Sequence, residues 1–298
     1  MPRIQQQWEL YTVNEMITEQ LNYDHDSLRL FWESQHQLLN DEQRNAYEKI
    51  LHSVDNNTSE TFMINGHGGT GKTFLYKVIC SKLRSEGVIV LCIASSGIAA
   101  LLLPGGRTAH SMFKIPIDNL SSESFCSIQK KSMRADLMRA VRCIVWDEIV
   151  PQHRYAVEAL DRTLRDLRDN EHPFGGITLL IGGDLQQTLP VVPRGSREQI
   201  LDATIIRSSL WNNFEHIFLH QNMRLQNDPD AEEFGRWLLQ IGHGHNSDEN
   251  NKIEIPQDIR SENIDSLINF VYPNLNSDPP PPPDYFLNRM ILAPRNSD

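Results

Sequence analysis

The feature that most constrains the fold is a glycine-rich octapeptide set between a short β-rich run and an amphipathic stretch. Gly66, His67, Gly68, Gly69, Thr70, Gly71, Lys72 and Thr73 follow residues 61–65 and precede residues 74–83. This spacing is that of a phosphate-binding loop. Its glycines let successive backbone N–H groups curl around an anion at a helix N-terminus, where the dipole favours negative charge. Lys72 then reaches the β- and γ-phosphates of a nucleotide such as ATP, and the Thr73 hydroxyl falls where Mg²⁺ is held. An ordinary glycine turn needs neither the strand before it nor the helix after it.

A chain of 298 residues has room for one large domain or about two of ordinary size. With 39% hydrophobic and 22% charged residues the composition is that of a soluble globular protein. No apolar run reaches the ~18 residues a membrane span requires, so no membrane partner is expected. The start, Met1-Pro2-Arg3-Ile4-Gln5, lacks the basic-then-apolar order of a secretory leader, and an intracellular setting is the expectation. Cys80, Cys92, Cys126 and Cys143 are irregularly spaced and read as reduced core residues. A net charge of −11 argues against a surface that grips nucleic acid broadly. A narrow groove built from hydroxyls, backbone amides and stacking rings remains compatible with it.

Residues 1–37 read as an irregular helical lead-in. A helix follows Asn40, a suitable N-cap, with apolar positions at Ala46, Tyr47, Ile50 and Leu51. Strands at 88–93, 143–146 and 177–181 then join the strand at 61–65, alternating with helices at 74–83, 97–103 and 153–167. That alternation predicts an α/β fold with a mainly parallel sheet flanked by helices on both faces. Residues 242–251 read as a loop, and the five prolines at 279–283 as a stiff extended spacer.

Ile144-Val145-Trp146 is an apolar run ending in Asp147 and Glu148. Such a strand delivers Asp147 to the metal side of the phosphates and lets Glu148 polarise an attacking water; alone, paired acids at a strand end are equally a surface feature. Residues 182–190 follow another strand, so Gln187 lies at the carboxyl edge of the sheet and is positioned to sense the γ-phosphate. Arg224 ends a later strand-like run, and an arginine there stabilises transition-state charge. Ser95, Ser96 and Gly97 offer hydroxyls and a helix start to nucleic-acid phosphates. Arg107, His110 and Phe113 add a cation, an imidazole and a ring able to stack on a base. Taken separately, these last two stretches also read as a helix cap and a loop.

In order and spelling, residues 94–100, 105–111, 182–191 and 222–224 resemble the motifs of Pif-type DNA helicases of superfamily one. Residues 101–111 and 159–166 are similar to the version carried by Helitron transposons. The resemblance covers about residues 38–245. It implies a RecA-like P-loop NTPase that hydrolyses ATP with Mg²⁺ and moves 5′ to 3′ along single-stranded DNA, in repair, recombination and telomere maintenance in the nucleus. It further implies that Gln43 contacts adenine, that Lys72 and Thr73 hold phosphate and Mg²⁺, that Asp147 and Glu148 act on metal and water, and that Gln187 and Arg224 complete γ-phosphate recognition. Two departures bear on coupling: Gln186 stands where the family has arginine, and Val150-Pro151 replaces a small residue and methionine. Residues 289–296 resemble the entry to a second motor domain. The expected organisation is thus a lead-in at 1–37, a motor domain at 38–225, and at 226–298 a linker with the start of a truncated second RecA-like domain.

Two alternatives stand beside a helicase. One is an inactive, transposon-derived fragment that binds DNA without turnover. The other is a P-loop phosphotransferase acting on a small molecule, which would need a lid with arginines and an acceptor pocket. Protein partners are not legible.

Overall fold

The computed structural model describes residues 13–225, 229–245, 247–249 and 252–293. Residues 1–12 of the expected lead-in and 294–296 of the expected second-domain entry lie outside the described residues. The chain divides into two compact units, Met1–Glu233 and Phe234–Asp298.

The first unit is built on six strands: Thr61–Gly66 (β1), Val90–Ala94 (β2), Arg107–Thr108 (β3), Cys143–Asp147 (β4), Thr178–Gly183 (β5) and Phe214–Leu219 (β6). They lie in the order β3-β2-β4-β5-β1-β6, and every neighbouring pair is parallel. Three helices, Glu15–Leu21 (α1), His25–Gln35 (α2) and Asp41–Asn56 (α3), precede β1. Parallel strands need crossovers, and the later helices lie in them: Lys72–Ser85 (α4), Gly97–Leu101 (α5), Ala109–Phe113 (α6), Met133–Ala140 (α7), Arg154–Arg168 (α8) and Arg197–Asp202 (α9).

Strand side chains alternate between two cores, as a period of two requires. Phe62 and Ile64, Val90 and Cys92, Cys143 and Val145 face one core, shared with Ala46 and Ile50 of α3 and Leu75, Ile79 and Leu83 of α4. Met63, Leu91, Ile93, Ile144 and Trp146 face the other, packed by α6, α7 and α8. With both faces covered, the strands read as near-continuous apolar runs, which is why they are visible in the sequence.

The edges of α3 follow local chemistry. Asn40 accepts from the Gln43 backbone N–H while Gln43 Oε1 accepts from the Asn40 N–H, a reciprocal capping box. Asn57 ends the helix in the left-handed region, one of the few residue types that tolerates it.

One expectation is overturned. Phe113 was expected to stack on a base from a loop, but residues 109–113 form α6 and Phe113 is 0% exposed. Its ring lies 6.1 Å from that of Trp146, centroid to centroid, in the core beneath β4. Turning it outward would expose a large apolar side chain whose burial is worth roughly 1.5–3 kcal/mol.

Within the second unit lie most of the helix Pro229–Gly242 (α10) and the helix Ile264–Val271 (α11). A single antiparallel bridge pairs Ser247 with Ile253, and a 3₁₀ turn at Pro283–Phe286 begins on the last of the five consecutive prolines.

Candidate functional site

Sheet register gathers the candidates along one edge. Ala94 pairs with Asp147, Trp146 with Ile181, Asn65 with Gly183 and Gly66 with Leu219, so the residues following β1, β2, β4, β5 and β6 leave the sheet together. β5 lies between β1, which leads into the glycine loop, and β4, which ends in Asp147. Two inter-strand spacings separate the loop strand from the acidic strand by about 10 Å, room for a triphosphate with its metal.

The loop is shaped as an anion cradle. Gly69 at φ +94 and Gly71 at φ +82 take left-handed backbone that a side chain resists, and Gly71 is the N-cap of α4. Thr70 is buried, with its N–H and hydroxyl both donating to His67 O, at 3.3 and 2.9 Å. Lys72 Nζ donates to Gly66 O at 2.5 Å, so its ammonium spans the loop's mouth. Thr73 follows in the first turn of α4, partly exposed.

Gln43 is 1% exposed and has its amide engaged at both ends: Oε1 accepts from Asn40, and Nε2 donates to Thr70 O at 3.0 Å. It thus ties α3 to the glycine loop, and Gly71 leaves it space, since a Cβ there would meet Nε2 at 2.3 Å. On the opposite side the segment after β6 closes against the same loop. The Met223 N–H donates to Gly69 O at 2.8 Å and Asn222 Nδ2 to Gly68 O at 3.3 Å. Asn222 Oδ1 accepts from the Arg224 N–H, leaving the Arg224 side chain exposed just beyond the cradle. Residue type alone does not single out Asn222 as a loop clamp; it stands three residues after β6, within the 222–224 stretch that carries the family resemblance.

Asp147 is 4% exposed, and its Oδ1 accepts from the Glu148 N–H at 3.0 Å. Burial pushes its pKa up to about 6, with the Glu148 N–H opposing, the Glu148 charge adding to the rise and Lys72 pulling it down. The Lys72 contribution marks the ammonium and the carboxylate as electrostatic neighbours. Glu148 is partly exposed and holds φ +52, a left-handed conformation that costs a non-glycine residue of order 1–3 kcal/mol and clusters at functional sites. Gln187 stands exposed after β5, its Nε2 donating to the buried Asp184 at 3.3 Å.

The candidates for nucleic acid lie on the β2–β3 side. Ser95 Oγ accepts from Trp146 Nε1 at 3.3 Å, which keeps its own hydroxyl hydrogen free to donate, while Ser96 Oγ caps α5 through the Ala99 N–H. Gly97 is exposed with open space where a Cβ would stand. Arg107 is exposed and ion-paired with Glu19 of α1, and His110 is half-buried with its pKa lowered by that burial. Among these, only Phe113 is withdrawn from solvent altogether.

Among the described residues no three His, Cys, Asp or Glu side chains gather as a metal cage. The donors present, one carboxylate at Asp147 and one hydroxyl at Thr73, fit Mg²⁺, which is bound through one or two carboxylates plus phosphates and retains several waters.

Comparison with known proteins places these features in a family. The family described as PIF1-like helicase matches residues 38–252. The ATP-dependent DNA helicase Pif1 of Psychrobacter sp. is 30% identical over 170 residues, covering 57% of this chain and 26% of that protein. The crystal structure of the Candida albicans Pif1 helicase superposes with a TM-score of 0.59 at 26% identity, covering 74% of this chain and 50% of that one. Bacteroides Pif1 in complex with ADP-AlF3 and ssDNA gives 0.55 at 26% identity, covering 66% and 46%. The chain therefore spans about a quarter of the Psychrobacter protein's length, and about half of the two solved chains.

Proposed function

We propose that this chain, which belongs to the PIF1-like helicase family, is the ATP-hydrolysing motor domain of a DNA helicase that moves 5′ to 3′ along single-stranded DNA. One observation carries the reading: the ammonium of Lys72 and the carboxylates of Asp147 and Glu148 converge on one sheet edge, one strand apart. Mg²⁺, when held there, would neutralise charge that develops on the phosphates. Thr73 and Asp147 are its protein ligands in this reading. The backbone N–H groups of residues 66–71 and Lys72 hold the phosphates. Glu148 orients and polarises the attacking water, while Gln187 and Arg224 read the γ-phosphate. Gln43 meets adenine by exchanging its bond to Thr70 O, which would let the base report on the loop.

DNA binds across the adjacent β2–β3 edge through Ser95, Ser96, Gly97, Arg107 and His110. The Bacteroides relative was solved with a nucleotide analogue and single-stranded DNA together, which supports assigning both ligands to one protein. The same reading has the protein work inside the cell, in the nucleus of a eukaryotic host, in repair, recombination and telomere maintenance.

The test is ATP turnover by the purified chain with and without an oligothymidine strand. Turnover is expected to rise several-fold with DNA. Lys72→Ala should abolish it at an unchanged melting temperature, and Glu148→Gln should still bind ATP but not cleave it. Turnover indifferent to DNA, or surviving Lys72→Ala, would remove the motor reading.

A further inference from the structure

Tyr76 lies four residues beyond Lys72 on α4, one turn from the phosphate cradle. It is 0% exposed, and its hydroxyl is one of two buried side-chain polar atoms without a hydrogen-bond partner among the described residues, Arg84 Nε being the other. A phenol removed from water with nothing to donate to is a poor choice for packing alone, because phenylalanine fills the same space without the desolvation cost.

The hydroxyl is aimed at the catalytic edge. It abuts the end of β5, where a Cβ on Gly182 would lie 1.7 Å from the Tyr76 oxygen and 3.6 Å from Asp147 Oδ1. Both oxygens thus border one small space, and the bare Cα of Gly182 is what keeps it open. Burial, then the charges of Asp147 and Glu148, hold the phenol's pKa well above its ordinary value, so it stays a neutral donor.

We infer that Tyr76 is a positioning residue for the reaction: its hydroxyl is the donor that holds the Asp147 carboxylate in the orientation needed when Mg²⁺·ATP binds. The inference rests on the ATPase reading above and adds to it a residue outside the glycine loop and the acidic pair. Asp147 already accepts from the Glu148 N–H at Oδ1. A second donor, reaching it from α4, fixes the carboxylate from the side of the nucleotide-binding helix. Once formed, the contact would also join Lys72 and Asp147 mechanically, because one helix would then present both the phosphate-binding ammonium and the carboxylate's orienting group.

Tyr76→Phe keeps the ring and removes one oxygen, so the fold is retained. The DNA-stimulated kcat should fall on the order of tenfold, with KM for ATP within about twofold of wild type and a melting temperature unchanged or higher. Mn²⁺ binding to the ADP-bound chain, followed by the EPR signal of the free ion, should weaken several-fold. A variant with wild-type kcat and wild-type Mn²⁺ affinity overturns the inference, as does one altered in KM alone. The Mn²⁺ measurement needs no turnover: a wild type that binds Mn²⁺·ADP yet hydrolyses nothing defeats the motor reading while Tyr76→Phe still decides the role of Tyr76. A wild type that binds no Mn²⁺·ADP overturns both.

Discussion

Asp147 is where the demands of folding and of chemistry separate most clearly. Burial penalises its charge and pushes its pKa up to about 6 in the folded chain, against 3.8 for an ordinary aspartate. An acid whose pKa is raised on folding binds its proton more tightly in the native state, so stability falls as pH rises between those two values. Above about pH 6 the full penalty is in place. Asp147→Asn keeps an acceptor for the Glu148 N–H and carries no charge. In metal-free buffer at pH 7.5 it should be more stable than wild type by about 1–3 kcal/mol, the gain vanishing near pH 4, while ATP turnover is lost. Parallel denaturation curves at the two pH values check this; a gain that does not depend on pH would locate the cost elsewhere. The paired acids themselves were legible, since an apolar run ending in Asp-Glu downstream of a glycine loop leaves few readings. The left-handed backbone of Glu148 was not, because glutamate carries no local signal for it; the two residues that follow, Ile149 and Val150, pack against the bare Cα of Gly183. Tyr76 was equally hidden: in a helix whose neighbours are Leu75, Val78 and Ile79, a tyrosine reads as core.

Elements were legible in proportion to how completely the sheet buries them. β1, β2, β4 and β5 are buried along almost their whole length, with apolar centres, and emerge from the sequence to within a residue or two, as does α8, whose buried Ala156, Leu160 and Leu164 recur at helical spacing. Short elements escaped. β3 is two residues long, and α6 is five, with a half-buried histidine beside its buried Phe113. Near Gly105, Gly106 and Arg107, those residues looked like a nucleic-acid loop. What sets them is tertiary: Ala109, Met112 and Phe113 fill the space beside Ile93 and Trp146, in the core opposite the one that Ala99 and Ala100 of α5 enter. The consequence is measurable. Phe113→Ala should destabilise the chain by about 3–5 kcal/mol, read as an earlier denaturation midpoint. Under conditions where the variant stays folded, its affinity for single-stranded DNA should match wild type. A stable variant that has lost DNA binding would return Phe113 to the interface.

At the scale of the whole molecule the question is how a chain with 28 Lys and Arg against 39 Asp and Glu would hold the polyanion that the proposed function requires. Long-range attraction is unavailable, since a net −11 gives no attractive field for phosphate and charge interactions are largely screened beyond the Debye length of about 10 Å. Affinity then has to come from short-range hydroxyl and backbone contacts around Ser95–Gly97 and a few local cations, of which Arg107 is already engaged by Glu19. That ion pair is exposed on both sides, so it is worth at most about 1 kcal/mol and yields to a phosphate that arrives in place. Counterion release scales with the phosphates neutralised, at roughly −0.7 per contact for single strands in log Kobs against log salt. Two or three contacts predict a slope of about −2, measured by anisotropy of a labelled oligothymidine between about 50 and 200 mM salt. Glu19→Gln removes the competing carboxylate and frees Arg107, which should tighten binding a few-fold at low salt and leave the slope within one contact's worth of wild type. A wild-type slope steeper than about −5 would instead demand a continuous basic track, and the DNA path assigned to the β2–β3 edge would have to be abandoned. An unchanged affinity in Glu19→Gln would take Arg107 out of that path while leaving the serines in it.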